Sequence, residues 1–65
     1  MSIIVDQIVF KDGFTFALIA SWDFDCYTHD GFFKFSGEKT NDQIINDYIN
    51  GDFEDLPENE IELIF

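Results

Sequence analysis

The chain contains no arginine and only three lysines and one histidine among its 65 residues, against fourteen aspartates and glutamates. Its formal net charge at pH 7 is −11. Arginine is the side chain that holds a phosphate group with two parallel hydrogen bonds, and a strongly negative field repels other polyanions. The composition therefore argues against direct binding to nucleic acid or to a membrane surface, and it favours a basic protein as the partner.

Disulfides and long apolar segments are also missing. The single cysteine, Cys26, cannot form an internal disulfide, and the chain has no run of about 18 apolar residues that could form a transmembrane helix. The segment MSIIVDQIVF has no basic region and includes Asp6 and Gln7, so it is not expected to be a secretory signal peptide. These absences predict a cytoplasmic protein. The length predicts one domain, residues 1–65, whose small core the nine phenylalanines can help to fill.

Hydrophobic periodicity predicts three strands in the first part of the chain. Residues 3–10 are rich in β-branched side chains, and residues 14–24 alternate with period two. The KDG triplet between them is typical of a hairpin turn, and the DG pair that begins at Asp30 predicts a second turn, followed by a strand at 32–36. Two interpretations of residues 26–29 remain open: a short strand that pairs with 32–36, or an extension of a long, bent second strand.

One helix and a last strand are predicted in the remainder. Thr40 and Gln43 have the spacing of a capping box, and Gly51 suits the position that follows a helix, so a helix is predicted over 41–50. Residues 60–65, EIELIF, alternate and are predicted to form a strand.

The predicted element order is β-β-β-α-β, which is an α+β fold with an antiparallel sheet and one helix packed on one face. We expect the helix to cover the face of the second strand that carries these residues: Phe14, Phe16, Leu18, Ala20, Trp22 and Phe24. Ala17 and Ile19 lie on its opposite face. That second apolar surface raises a homodimer as an alternative.

The stretch SWDFDCYTHDGFF is the strongest candidate for a metal or catalytic site. Cys26 and His29 are spaced like zinc ligands, but the chain has no second cysteine or histidine to complete a closed site. A calcium loop could start at Asp23 and Asp25, but Tyr27 and His29 then occupy positions that need an oxygen ligand and a glycine. Cys26 and His29 would point to opposite faces of a strand, which argues against a nucleophile and its base. We therefore predict no enzyme, no metal site and no cofactor.

Two acidic surfaces are the predicted binding sites for a basic partner. Asp23 and Asp25 are predicted to lie two apart on one strand, so that their carboxylates leave the same side about 6.6–6.8 Å apart, like successive phosphates. The second surface surrounds Phe53 and Leu56, which act either as exposed anchors or as core residues. The acids assigned to the second surface are Asp42, Asp47, Asp52, Glu54, Asp55, Glu58, Glu60 and Glu62.

The leading hypothesis is a non-catalytic acidic protein that blocks a basic, nucleic-acid-binding partner by mimicking the phosphates of DNA or RNA. Small acidic phage proteins that inhibit restriction systems, CRISPR nucleases or repair enzymes share this size, charge and α+β character, and the analogy extends no further. One alternative is an antitoxin or immunity protein that caps a basic nuclease toxin. Another is a structural subunit that forms an oligomer.

Overall fold

The computed structural model describes residues 2–65. Its elements follow the order β1 (Ser2–Lys11), β2 (Phe14–Asp23), β3 (Cys26–Ser36), α1 (Asn41–Asn50), β4 (Glu54–Asp55) and α2 (Glu58–Ile64). The four strands lie side by side in chain order as an open sheet, and each neighbouring pair is antiparallel. The predicted α+β fold is confirmed, and a second helix is added at its C-terminal end.

The first helix packs on the face of the sheet opposite to the predicted one. Ile44 of α1 is fully buried in a core cluster with Ala17, Ile19, Phe33 and Phe35. The predicted seat is wrong because β3 contributes Phe33 and Phe35 beside the small Ala17 of β2, and these rings and the space over the alanine form a surface that a helix can fill. The sequence of β2 alone does not show which side chains β3 contributes to each face of the sheet.

The other face of the sheet is covered by α2. The rings of Phe32 and Phe65 lie 4.8 Å apart, and Ile64 lines a cleft with Phe14 and Phe16. The prediction of a strand at 60–65 is therefore wrong. Ile61, Ile64 and Phe65 also have helical spacing, and a short apolar run fits either period until its packing partner is known. The fourth strand is instead the two-residue β4, next to β3.

The second hairpin turn lies at Phe24-Asp25, not at Asp30. β3 runs continuously through the predicted turn, and the register shifts there because Ile19 pairs with Gly31 while Ala20 pairs with His29, which leaves Asp30 as the extra residue of a β-bulge. Gly31 has φ 145°, and an added Cβ would meet the ring of Phe33 at 3.3 Å. Both interpretations of residues 26–29 are thus replaced by a third, in which they begin β3.

The helix predicted over 41–50 is confirmed with its caps. The Thr40 hydroxyl accepts a hydrogen bond from the Gln43 amide at 3.3 Å, and the Gln43 side chain accepts one from the Thr40 amide at 2.9 Å. Gly51 ends the helix in the left-handed region with φ 79°. Neither helix among residues 2–65 has the length and apolar character needed to cross a membrane.

Candidate protein-binding surfaces

The far end of the β2–β3 hairpin carries an exposed aromatic cluster. We call this region the hairpin end; it comprises residues 22–29 together with Asp6 of β1. The ring of Tyr27 makes edge-to-face contacts with Trp22, at 5.9 Å between centroids, and with His29, at 5.2 Å. Trp22 is 47% exposed and Tyr27 is 42% exposed, so solvent reaches a large part of both rings.

The Asp6 carboxylate lies beside this cluster because β1 contains a bulge. Val5 pairs with Ile19 and Gln7 pairs with Leu18, so Asp6 has no partner on β2. A bulge redirects the side chain of its extra residue, and the Asp6 carboxylate lies 3.1 Å from Nε2 of His29. Partial desolvation, and then the charge and hydrogen bond of the nearby Asp6, raise the pKa of the Tyr27 hydroxyl.

The bulge in β3 places a second aspartate, Asp30, on the opposite face. Its carboxylate accepts hydrogen bonds from the Ser21 hydroxyl at 2.8 Å and from the Tyr48 hydroxyl at 3.0 Å. Desolvation, followed by the hydrogen bond and charge of Asp30, raises the pKa of Tyr48. These contacts connect the hairpin to α1, so the hairpin end is held by the folded core.

Asp23 and Asp25 do not form the predicted row of carboxylates. Asp23 is the last residue of β2 and pairs with Cys26, whereas Asp25 lies in the turn. The expectation of two acids on one strand side is wrong because the strand ends before Asp25. Both side chains are nevertheless exposed and flank Phe24, which is 90% exposed.

Phe24 occupies a backbone conformation that few bulky residues adopt. It has φ 55°, at the first of the two turn positions. This region favours glycine, and a bulky side chain there carries a conformational cost of about 1–3 kcal/mol. Burial of the ring does not offset this cost, because nearly all of the ring is exposed to solvent.

Cys26 and His29, which are considered and rejected from the sequence as a metal or catalytic pair, lie on opposite faces of β3. Cys26 and Tyr27 are consecutive on β3, and Tyr27 contacts His29, so Cys26 points to the face opposite to His29. Across residues 2–65, no group of three or more His, Cys, Asp or Glu side chains is arranged to hold a metal ion.

The second predicted surface is the C-terminal acidic segment, residues 51–62. Its apolar residues are core residues: the ring of Phe53 lies 4.9 Å from Phe33 and stacks on Tyr48 at 5.0 Å, and Leu56 is buried. Leu56 is therefore not an exposed anchor, and Phe53, which is half-buried, packs against the core on one side.

The acids of this segment share their surroundings with lysines. One cleft is lined by Lys34 and Lys39 together with Asp47, Asp52 and Glu54. The Lys39 ammonium lies 2.9 Å from the Asp47 carboxylate, so Asp47 is ion-paired within the fold.

The remaining assigned acids are exposed, but lysines accompany some of them. Glu60 lines a cleft with Lys11 and Lys34, and Glu54 is directly opposite Lys34 in the β3–β4 pair. Four more exposed carboxylates complete the assigned set: Asp42, Asp55, Glu58 and Glu62. The negative charge of the C-terminal half is thus partly offset by lysines from the first half.

The sequence interpretation missed the aromatic part of the hairpin end. From the sequence, Trp22 is predicted to lie on the face under the helix, and Tyr27 is not among the predicted binding residues. The alternation of Trp22 with Ala20 does indicate that Trp22 lies on the apolar face of β2. The position of Tyr27 directly opposite Trp22 follows only when the turn is placed at Phe24-Asp25.

Comparisons of this chain with protein-family models, with curated proteins and with solved structures find no match.

Proposed function

We propose that this protein is a non-catalytic inhibitor that binds a basic protein at its nucleic-acid-binding site and excludes the nucleic acid, with carboxylates taking the places of phosphates. In this proposal it acts in the cytoplasm, and it makes no direct contact with nucleic acid or membrane. The net charge of −11 is larger than solubility requires of a small domain, for which a magnitude of about 2–8 suffices.

The observation that carries the proposal is the separation of the lysines from the hairpin end. Lys11 pairs with Phe14 and Lys34 with Phe16, and the Lys39 amide donates a hydrogen bond to Thr15. All three lysine backbones therefore lie near the start of β2. Trp22 is six residues further along the strand than Phe16, or about 20 Å.

That distance exceeds the screening length of about 8 Å at physiological ionic strength. The hairpin end therefore presents carboxylates without a lysine to offset them. Four aspartates lie on or beside it: Asp6, Asp23, Asp25 and Asp30. A cationic surface would meet a negative field there, which speeds encounter and selects for basic partners.

Two biological roles are compatible with this proposal, and both require the same electrostatic attraction to a basic partner. The protein is either an anti-defence inhibitor of the kind that phages encode, directed at a restriction, CRISPR or repair enzyme, or an antitoxin or immunity protein that caps a basic nuclease toxin. The identity of the displaced enzyme distinguishes the two, because a toxin would be encoded as a cognate pair.

Competition with nucleic acid tests the proposal directly. Basic proteins captured from a host lysate would be purified and loaded with a fluorescent duplex or single strand, and this protein would be titrated in at about 50 mM and about 200 mM salt. We expect release of the nucleic acid, with an affinity that falls at least tenfold between the two conditions. An affinity that is the same at both salt concentrations would contradict the proposal, and so would a complex in which the nucleic acid stays bound.

A structural subunit is the second candidate, and the open edge of β1 favours it. β1 is ten residues long and pairs on one side with β2 only, within the described sheet. Such an edge can pair with another strand, including β1 of a second copy. Light scattering at micromolar concentration distinguishes the candidates, because an assembly subunit must be at least a dimer.

A further inference from the structure

We infer that the hairpin end anchors the partner, and that its anchor contact is an arginine side chain of the partner stacked on Trp22 and Tyr27 and paired with the carboxylate of Asp6. This inference rests on the proposed function and names the chemistry that the partner must present. It also selects the hairpin end over the C-terminal acidic segment.

The first step is the exposure of the aromatic rings. Trp and Tyr are enriched among the residues that dominate protein–protein affinity, because they bury much apolar area and lose little conformational freedom. Trp22 is 47% exposed and Tyr27 is 42% exposed, and their edge-to-face contact holds both rings in place before any partner arrives. In the C-terminal acidic segment the corresponding ring, Phe53, is already used by the core.

The second step is the pairing of these rings with a carboxylate. The Asp6 side chain is 39% exposed and contacts His29, whose ring in turn contacts Tyr27. A guanidinium group stacks on an aromatic face and, at its edge, donates hydrogen bonds to a carboxylate, so one arginine satisfies both features. A lysine ammonium can contact a ring or donate to a carboxylate, but it lacks the planar group that stacks on a ring while its edge makes two parallel hydrogen bonds.

The third step argues against a symmetric contact between the hairpin ends of two copies of this chain. The hairpin end carries Asp6, Asp23 and Asp25 and no lysine, so two such ends would repel each other. A cationic segment of another protein is the complement of this surface.

Phe24 extends the same surface. It lies between Asp23 and Asp25 at the turn, with its ring 90% exposed and its backbone at φ 55°. A bulky residue held in a conformation suited to glycine, and left in solvent, suits contact with a partner better than it suits the isolated fold.

The test uses three acetylated nine-residue peptides and the full chain. One peptide carries three arginines separated by glycine and serine, the second has lysine in place of arginine, and the third has neutral citrulline. Trp22 is the single tryptophan, so its emission reports on the hairpin end alone. Backbone amide shifts locate the contact along the chain.

We expect the arginine peptide to bind tightest, to change the Trp22 emission and to shift amides of residues 21–30 more than those of 51–62. Trp22→Ala should weaken binding about two- to thirtyfold, which is the range for loss of a cation–π contact. Phe10→Ala is the matched control, because Phe10 is 52% exposed but belongs to the other end of the sheet, and it should change affinity less than twofold. Thermal unfolding confirms that both variants fold.

Three results would overturn the inference: no binding of the arginine peptide at low salt, equal binding of the arginine and citrulline peptides, or unchanged affinity of Trp22→Ala. Amide shifts concentrated on 51–62 would also overturn it. In that last case the competition experiment with nucleic acid could still succeed, so failure of the anchor and failure of the proposed function are distinguishable.

Discussion

The hairpin end and the C-terminal acidic segment carry negative charge in different ways. The C-terminal segment has more acids, but its apolar residues Phe53 and Leu56 are packed in the core, and lysines line the clefts that its acids share. The hairpin end has fewer acids, yet it combines them with exposed rings, and its Trp22 lies about 20 Å along the strand from the position paired with Lys34.

The difference teaches that the number of acids in a segment is a poor guide to its binding potential. A carboxylate beside a lysine already has a partner, and an aromatic ring packed against the core, such as Phe53, has less area left to bury on binding. A carboxylate that has no lysine nearby and is adjacent to exposed apolar surface is available for both steering and anchoring, as Asp23 and Asp25 are beside Phe24. By that criterion the smaller cluster is the better candidate.

The largest expected effect is on stability, and it compares Phe53 of the C-terminal acidic segment with Trp22 of the hairpin end. Phe53→Ala removes contacts with Phe33, Phe35 and Tyr48, and it should lower the free energy of unfolding by about 2–4 kcal/mol. Trp22→Ala, at a half-exposed position, should cost about 1 kcal/mol or less. Urea unfolding of both variants checks the comparison, and equal losses would place Trp22 among the core residues.

Charge reversal compares the two acidic surfaces in the complex with a basic partner. Replacing both Asp23 and Asp25 by lysine should weaken the complex about tenfold or more, because these carboxylates flank the anchor. The triple reversal of Asp52, Glu54 and Asp55 changes more charge, yet it should weaken the complex by less and leave the domain folded. Calorimetric titration of both variants decides, and a larger loss in the triple variant would move the interface to the C-terminal acidic segment.

Phe24→Gly should separate stability from binding within the hairpin end. Glycine adopts φ 55° without strain, so we expect the free energy of unfolding to rise by about 0.5–1 kcal/mol. The same change removes an exposed ring and should weaken the complex. Phe10→Gly, near the end of β1 and paired with Thr15, is the control and should be destabilising, because glycine weakens a strand. A destabilised Phe24→Gly variant would mean that the ring supports the fold.

Alkaline titration gives the smallest effect. The pKa values of Tyr27 and Tyr48 are both raised, chiefly by desolvation and then by the neighbouring aspartates. A raised folded-state pKa means that the associated stability is fully present below the ordinary tyrosine pKa of about 10 and is lost as the pH rises further. Absorbance at alkaline pH should therefore show midpoints above 10. Tyr48→Phe removes one of the two transitions and assigns the other, and a midpoint at or below 10 would contradict the Tyr48–Asp30 contact.

Local signals predicted β2, α1 and the overall composition of the fold correctly. The Thr40 and Gln43 pair and Gly51 locate both ends of α1, because capping depends on neighbours in the sequence. Local signals did not predict three features: the position of the second hairpin turn, the sheet face that α1 covers, and the helical conformation of residues 58–64. Each depends on a cross-strand or interlayer contact, such as Trp22 with Tyr27 or Phe32 with Phe65.

By itself, the sequence determined the acidic character of this protein, strand β2 and helix α1, and the exclusion of an internal disulfide, since these follow from composition and from interactions within a few residues. Only the tertiary structure decided which acids remain without a lysine nearby and which aromatic rings remain in solvent. Both properties depend on how distant segments meet: the register of β3 on β2 brings Tyr27 to Trp22, and the packing of Phe53 against β3 buries part of that ring.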